Sequence, residues 1–137
     1  MSDLLSLVHA AYAANNSGDL EAARPCFAED VETVTPQGVL RGVDAWKEMG
    51  QTFLTAVPDM HHDIVRTFED GDTIVVEGIY SGTHTGPLVT PDGALPPSGN
   101  RFALPYVDIF EVHDGKCTSH RVYWDNVTLM SQLGAMA

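Results

Sequence analysis

Tyr106-Val107-Asp108-Ile109-Phe110-Glu111-Val112-His113-Asp114-Gly115-Lys116, then His120-Arg121-Val122-Tyr123-Trp124-Asp125, closing on Gln132-Leu133-Gly134, is the stretch that decides the fold. Two alternating runs flank Asp114-Gly115, a dipeptide suited to the positive φ angles of a tight hairpin turn. The pattern predicts strands over Arg101–His113 and 116–125, joined as a hairpin. A short helix over 128–133 follows, ended by Gly134.

Outward from this hairpin, segments 61–69 and 73–84 read as a second one about Asp70-Gly71-Asp72. Between the hairpins, residues 85–100 hold four of the eight prolines and read as a loop. Leu4, Leu5, Leu7, Val8, Ala11 and Tyr12 have helical spacing over residues 3–16. Ser2 or Asp3 can cap that helix and Gly18 stops it. Asp19 can cap a shorter helix running to about Cys26. Residues 31–35 form a short strand that Pro36 interrupts, with turns at Gln37-Gly38 and Gly42. A third helix spans Val43–Ala56, with Trp46, Met49, Phe53 and Val57 in one apolar stripe. Helices in the first half and long strands in the second predict an α+β fold, a curved antiparallel sheet with helices on one face.

The 137 residues are 44% apolar, enough for one domain, residues 1–137, with its own core. A net charge of -12 repels phosphate backbones and anionic lipid, which argues against nucleic acid and membrane partners. No apolar run has the length of a membrane span, and Met1-Ser2-Asp3 opens no secretory signal, so a cytoplasmic protein is expected. Cys26 and Cys117 have no zinc or redox spacing and read as buried free thiols rather than halves of a disulfide. No metal set is expected. His61 and His62 are adjacent in a strand and point to opposite faces, and His62-Asp63 reads as solvent-facing polarity.

The C-terminal hairpin resembles that of the SnoaL-like polyketide cyclases, within the NTF2-like and ketosteroid-isomerase-like superfamily. Gly82-Thr83-His84-Thr85-Gly86-Pro87-Leu88 and Pro96-Pro97-Ser98-Gly99-Asn100-Arg101-Phe102 look like the same branch, and Asn16-Ser17-Gly18-Asp19-Leu20 like the superfamily's N-terminal helices. The resemblance implies a cone-shaped α+β barrel around an apolar pocket, in a homodimer, without a cofactor. It places Asp108 inward; alternation then puts Tyr106 and Phe110 beside it, and His120, Val122 and Trp124 on the neighbouring strand. Trp46, Met49 and Phe53 would supply a lid or back wall, Tyr12 a further contact, His84 either a substrate contact or, the better reading, a turn-stabilising histidine, and the 85–100 loop a cover.

The resemblance also shows what is missing. The last-strand Asp of the aldol-type cyclases falls on Val122, and their His on Asp108; a valine transfers no proton. The ketosteroid-isomerase oxyanion Asp matches Asp108, but that enzyme's base falls on Thr35. The Asp–Arg–Asp set of the limonene-epoxide-hydrolase type is absent, one Asp again falling on Val122.

Asp108 is the first catalytic candidate, a carboxyl among aromatic and aliphatic neighbours that could act as acid or base. His120 could pair with it, and Tyr106 or Tyr12 could donate to a developing oxyanion. The plainer alternative is a satisfied polar pair inside the core. Three functions follow: acid/base chemistry (isomerisation, cyclisation or dehydration) on a small hydrophobic carbonyl compound, non-catalytic binding of such a molecule, or a structural dimerisation domain with a filled interior.

Overall fold

A computed structural model describes residues 2–135. Helix α1, Asp3–Ser17, starts where Ser2 Oγ accepts from Leu5 N at 3.0 Å and ends at Gly18, whose φ of 79° closes the last turn. A 3₁₀ turn, Leu20–Cys26, is capped by Asp19 and leads into strand β1, Phe27–Thr35. β1 thus starts four residues before the predicted strand. The strand ends at Thr35, just before Pro36, and residues 36–37 form a hairpin turn into β2, Gly38–Arg41, a strand absent from the sequence reading. Helix α2, Val43–Ala56, buries Val43, Trp46 and Ala56.

The long strands are β3, His61–Asp70; β4, Thr73–Thr83; β7, Arg101–His113; and β8, Lys116–Trp124. Between them, residues 85–100 carry a small hairpin of β5, Leu88–Thr90, and β6, Gly93–Leu95. Helix α3, Asn126–Gln132, is capped by Asp125, whose Oδ1 accepts from Val127 N and Thr128 N.

The main sheet runs β2-β1-β8-β7-β4-β3 and does not close on itself. The expected antiparallel sheet needs one correction: β1 pairs with β8 in parallel, Thr33 opposite His120. No turn joins these two strands, so hairpin chemistry never constrains their relative direction. On β4 the inward set includes Ile74, Val76 and Tyr80, and on β7 it runs from Phe102 to Val112 at every second residue. α1 and α2 pack against that face, with Val8, Ala11, Tyr12 and Trp46 in the shared core.

The segment 85–100 is anchored. Thr85 N and Gly86 N both donate to Ala56 O at the end of α2, and a Cβ at Gly86 would overlap the Thr55 carbonyl. Leu88 is buried, and Asn100 Nδ2 donates to Gln132 O of α3. No helix among the described residues is long and apolar enough to cross a membrane.

Candidate functional site

Between the concave face of the sheet and the helices lies a cavity of about 120 Å³. That is near the ~150 Å³ of an apolar cavity that admits benzene. Met49, Phe53, Met60, Leu104, Val122 and Trp124 give it an apolar wall. Phe53 stands edge-on to Trp124 and Tyr80, so these rings frame the space and do not fill it.

The polar wall centres on Asp108, which β7 turns inward between Tyr106 and Phe110. Asp108 is 5% exposed, and both carboxyl oxygens are engaged. Oδ1 pairs with His120 Nε2 at 2.8 Å, and Oδ2 accepts from the Tyr12 hydroxyl. Tyr12 in turn accepts from the Tyr106 hydroxyl at 2.9 Å. On the far side of His120, Trp46 Nε1 donates to Nδ1 at 3.2 Å. An indole N–H can only donate, so Nδ1 must hold a lone pair and Nε2 the proton. His120 is therefore the Nε2–H tautomer, donating to an Asp108 carboxylate. The imidazole lies flat on Phe110, ring centroids 4.5 Å apart, so it is fixed on every side.

These bonds answer the cost of burying Asp108. A buried polar group left unpaired is costly, and both Asp108 oxygens have a partner. Burial first, then the Asp108 charge, pushes the Tyr12 hydroxyl far above the usual tyrosine value; the same two causes raise Tyr106. Both phenols stay protonated and serve as donors. Gly78 makes room for this arrangement: it sits opposite Tyr106 on β4, and a Cβ there would overlap the Tyr106 hydroxyl.

Of the residues singled out from sequence, Tyr12, Trp46, Met49, Phe53, Tyr106, Asp108, Phe110, His120, Val122 and Trp124 all line the cavity. Val122 faces Asp108 directly in the β7–β8 register. His84 is not among them. It is fully buried, its Nδ1 accepting from Ser98 N at 3.2 Å and its main chain bonded to Gly99 and Asn100. It ties the two ends of the 85–100 segment together, and no residue of that segment lines the cavity.

His62 is the main correction on the other side. It is not solvent-facing: it lines the cavity and stacks on Tyr80 with ring centroids 4.8 Å apart. Its backbone is clamped by Asn16, with His62 N to Oδ1 at 2.8 Å and Nδ2 to His62 O at 3.1 Å. Burial holds the imidazole below the ordinary histidine value, with the Asp108 charge opposing. The sequence signal was parity: His62 shares its face with Ile64, the apolar member of that alternation. Asn15, Met60 and Tyr80 also line the cavity and were not singled out.

Cys26 and Cys117 are both free; Cys117 is buried, while Cys26 is only half-buried. Burial pushes the Cys117 thiol up to about 12, which leaves it unreactive as a thiolate.

Solved structures define the class first. The fold is similar to that of TsrD from Streptomyces laurentii, 28% identical with a TM-score of 0.85 over 98% of this chain and 96% of that one. It is similar to IdmH from Streptomyces antibioticus, described as a candidate polyketide cyclase, at 28% identity and a TM-score of 0.81 over 97% and 99%. A candidate SnoaL-like polyketide cyclase from Jannaschia sp. CCS1 superposes with a TM-score of 0.87 at 18% identity over 98% and 94%. No curated protein matches the sequence significantly. The model of the SnoaL-like polyketide cyclase family matches residues 6–133, and the chain belongs to that family.

Proposed function

We propose that this protein is a cofactor-independent enzyme that performs proton-transfer chemistry on a small hydrophobic carbonyl compound. The observation that carries this reading is a buried carboxylate, Asp108, joined by a continuous run of hydrogen bonds to two protonated phenols in the wall of an open apolar cavity. A carboxylate offers about four lone-pair sites, and Asp108 uses two. Two are left, and one of them can take a proton from a carbon beside a substrate carbonyl. The Tyr106 hydroxyl, turned from Tyr12 to the substrate oxygen, stabilises the enolate that forms. The proton on Asp108 then returns to a different carbon in an isomerisation. In a cyclisation, the enolate carbon bonds to a second carbonyl carbon and Asp108 protonates the resulting alkoxide. His120 and Trp46 hold Asp108 in place and donate no proton to substrate.

Hydrogen–deuterium exchange at the α-carbon of a panel of small cyclic ketones and 1,3-diketones tests this. Wild type should accelerate exchange, and Asp108→Asn should lower the rate about 10²- to 10⁴-fold. Exchange unaffected by that substitution would refute it. Val122, where the family's aldol-type cyclases carry an acid, favours a second reading: a pocket that binds such a molecule without turnover. Tight binding with no exchange in wild type would select it.

We also propose a homodimer through the outer face of the sheet, where Val65 and Tyr123 stay exposed. Sedimentation at micromolar concentration should give twice the mass of one chain. A charge at Tyr123 (Tyr123→Glu) should halve it, and a monomeric wild type would dismiss the idea.

A further inference from the structure

The cavity's hydrogen-bonding inventory is lopsided. Of the donors that line it, those on Trp46, His120, Tyr12 and Tyr106 are already directed along the run that ends on Asp108. Besides the spare lone pairs of Asp108, what stands free lies on strands β3 and β4. His62 and Tyr80 are partners in the β3–β4 register, and both line the cavity. His62 Nδ1 and the Tyr80 hydroxyl are buried without a hydrogen-bond partner among the described residues. Leaving such groups unpaired is costly, and native proteins rarely do so without a ligand, water or function to account for it.

We propose that the His62–Tyr80 wall receives a hydroxyl group of the substrate, the His62 imidazole accepting a hydrogen bond from an enol or phenol O–H. This rests on the pocket reading above and names its substrate class: a ring-sized carbonyl compound that enters as an enol or carries a phenolic hydroxyl. A neutral imidazole always presents one lone pair, and here burial keeps it neutral. The groups facing it agree. Tyr12 from α1 and Tyr106 from β7 present protonated phenols edge-on, at 5.9 and 5.5 Å between centroids. Tyr80 from β4 stacks on it, also held protonated by burial. The charges of Asp108 and Asp63 favour its protonation, but His61 and His120 oppose it and burial outweighs them all. The Asn16 clamp on the His62 main chain fixes the strand that carries the acceptor. The cavity volume suits one six-membered ring. A ketone without a hydroxyl could accept from the Tyr80 O–H but would leave the lone pair of His62 unpaired.

Two probes of one size separate the outcomes: 4-methylphenol, and 4-methylanisole, which keeps the ring and loses the donor. Titrated by NMR into wild type, the phenol should bind about tenfold tighter, the worth of one added hydrogen bond. The His62 ring ¹⁵N resonances should move with the phenol and not with the anisole. In His62→Phe, which keeps a ring on Tyr80, the tenfold preference should vanish. The wild-type ¹⁵N readout decides the matter even if that variant folds poorly. Equal affinity for both probes, or a preference that survives His62→Phe with unmoved His62 resonances, overturns the inference and leaves the pocket reading intact. Binding of neither probe overturns both the inference and the ring-sized pocket behind it.

Discussion

Trp46→Phe isolates the hydrogen bond that sets the site's protonation pattern. Phenylalanine keeps an aromatic ring against Phe27, which now lies 4.2 Å from the indole between centroids. It removes the one N–H that His120 Nδ1 accepts. Trp46 is 4% exposed and His120 7%, so water does not readily replace the donor. A buried acceptor left alone costs about 1–3 kcal/mol. The smaller ring adds roughly 1 kcal/mol for lost volume. The total, about 2–4 kcal/mol, should lower Tm by roughly 6–15 °C in a chain of this size. The assay is chemical and thermal denaturation of a double-mutant cycle with His120→Phe. Both partners touch, so the cycle should return a coupling of about 1–2 kcal/mol. A coupling under about 0.3 kcal/mol, within the usual additivity error, would refute the assigned donor and with it the Nε2–H tautomer of His120.

Acid should weaken the fold through its buried histidines. Burial depresses both His62 and His84, so the unfolded chain, with histidines near 6.5, binds more protons than the native one just below that value. Stability from these groups is complete above about pH 6.5 and is lost as pH falls toward their lowered values. Tm measured from pH 7.5 to 5 in about 0.5 M salt, which screens the opposing relief of net negative charge, should decline; a flat profile contradicts the burial argument. Gly78→Ala should cost about 1–3 kcal/mol by overpacking, because the new methyl group displaces the Tyr106 ring. An unchanged Tm would mean that Tyr106 does not lie across that strand. Val122→Asp sets a second carboxyl directly opposite Asp108. One of the two must then stay protonated, so the variant should lose stability relative to wild type as pH rises from 4 to 8, by about 2–4 kcal/mol at the upper end. Equal stability across that range would rule out a shared apolar site.

Much of this protein is set by local chemistry that the sequence carries openly. Asp114-Gly115 supplies two consecutive positive φ angles, 53° and 75°, which fix the β7–β8 hairpin. With that turn fixed, alternation places Tyr106, Asp108 and Phe110 on one face, and the apolar stripe of α2 points Trp46 toward them. Ser2, Asp19 and Asp125 cap their helices because the cap requires only a short side chain one turn from a free N–H.

What remained hidden depends on contacts between residues far apart in the chain. The parallel β1–β8 pairing has no turn of its own to announce it. The anchoring of residues 85–100 follows from the end of α2. The direction of the hydrogen bonds through Asp108 was equally out of reach. It is decided by the Trp46 indole, 74 positions from His120, whose single donor forces the tautomer. Periodicity is a property of neighbours along the chain; the protonation pattern of a buried site is a property of whichever groups the fold brings within hydrogen-bond reach.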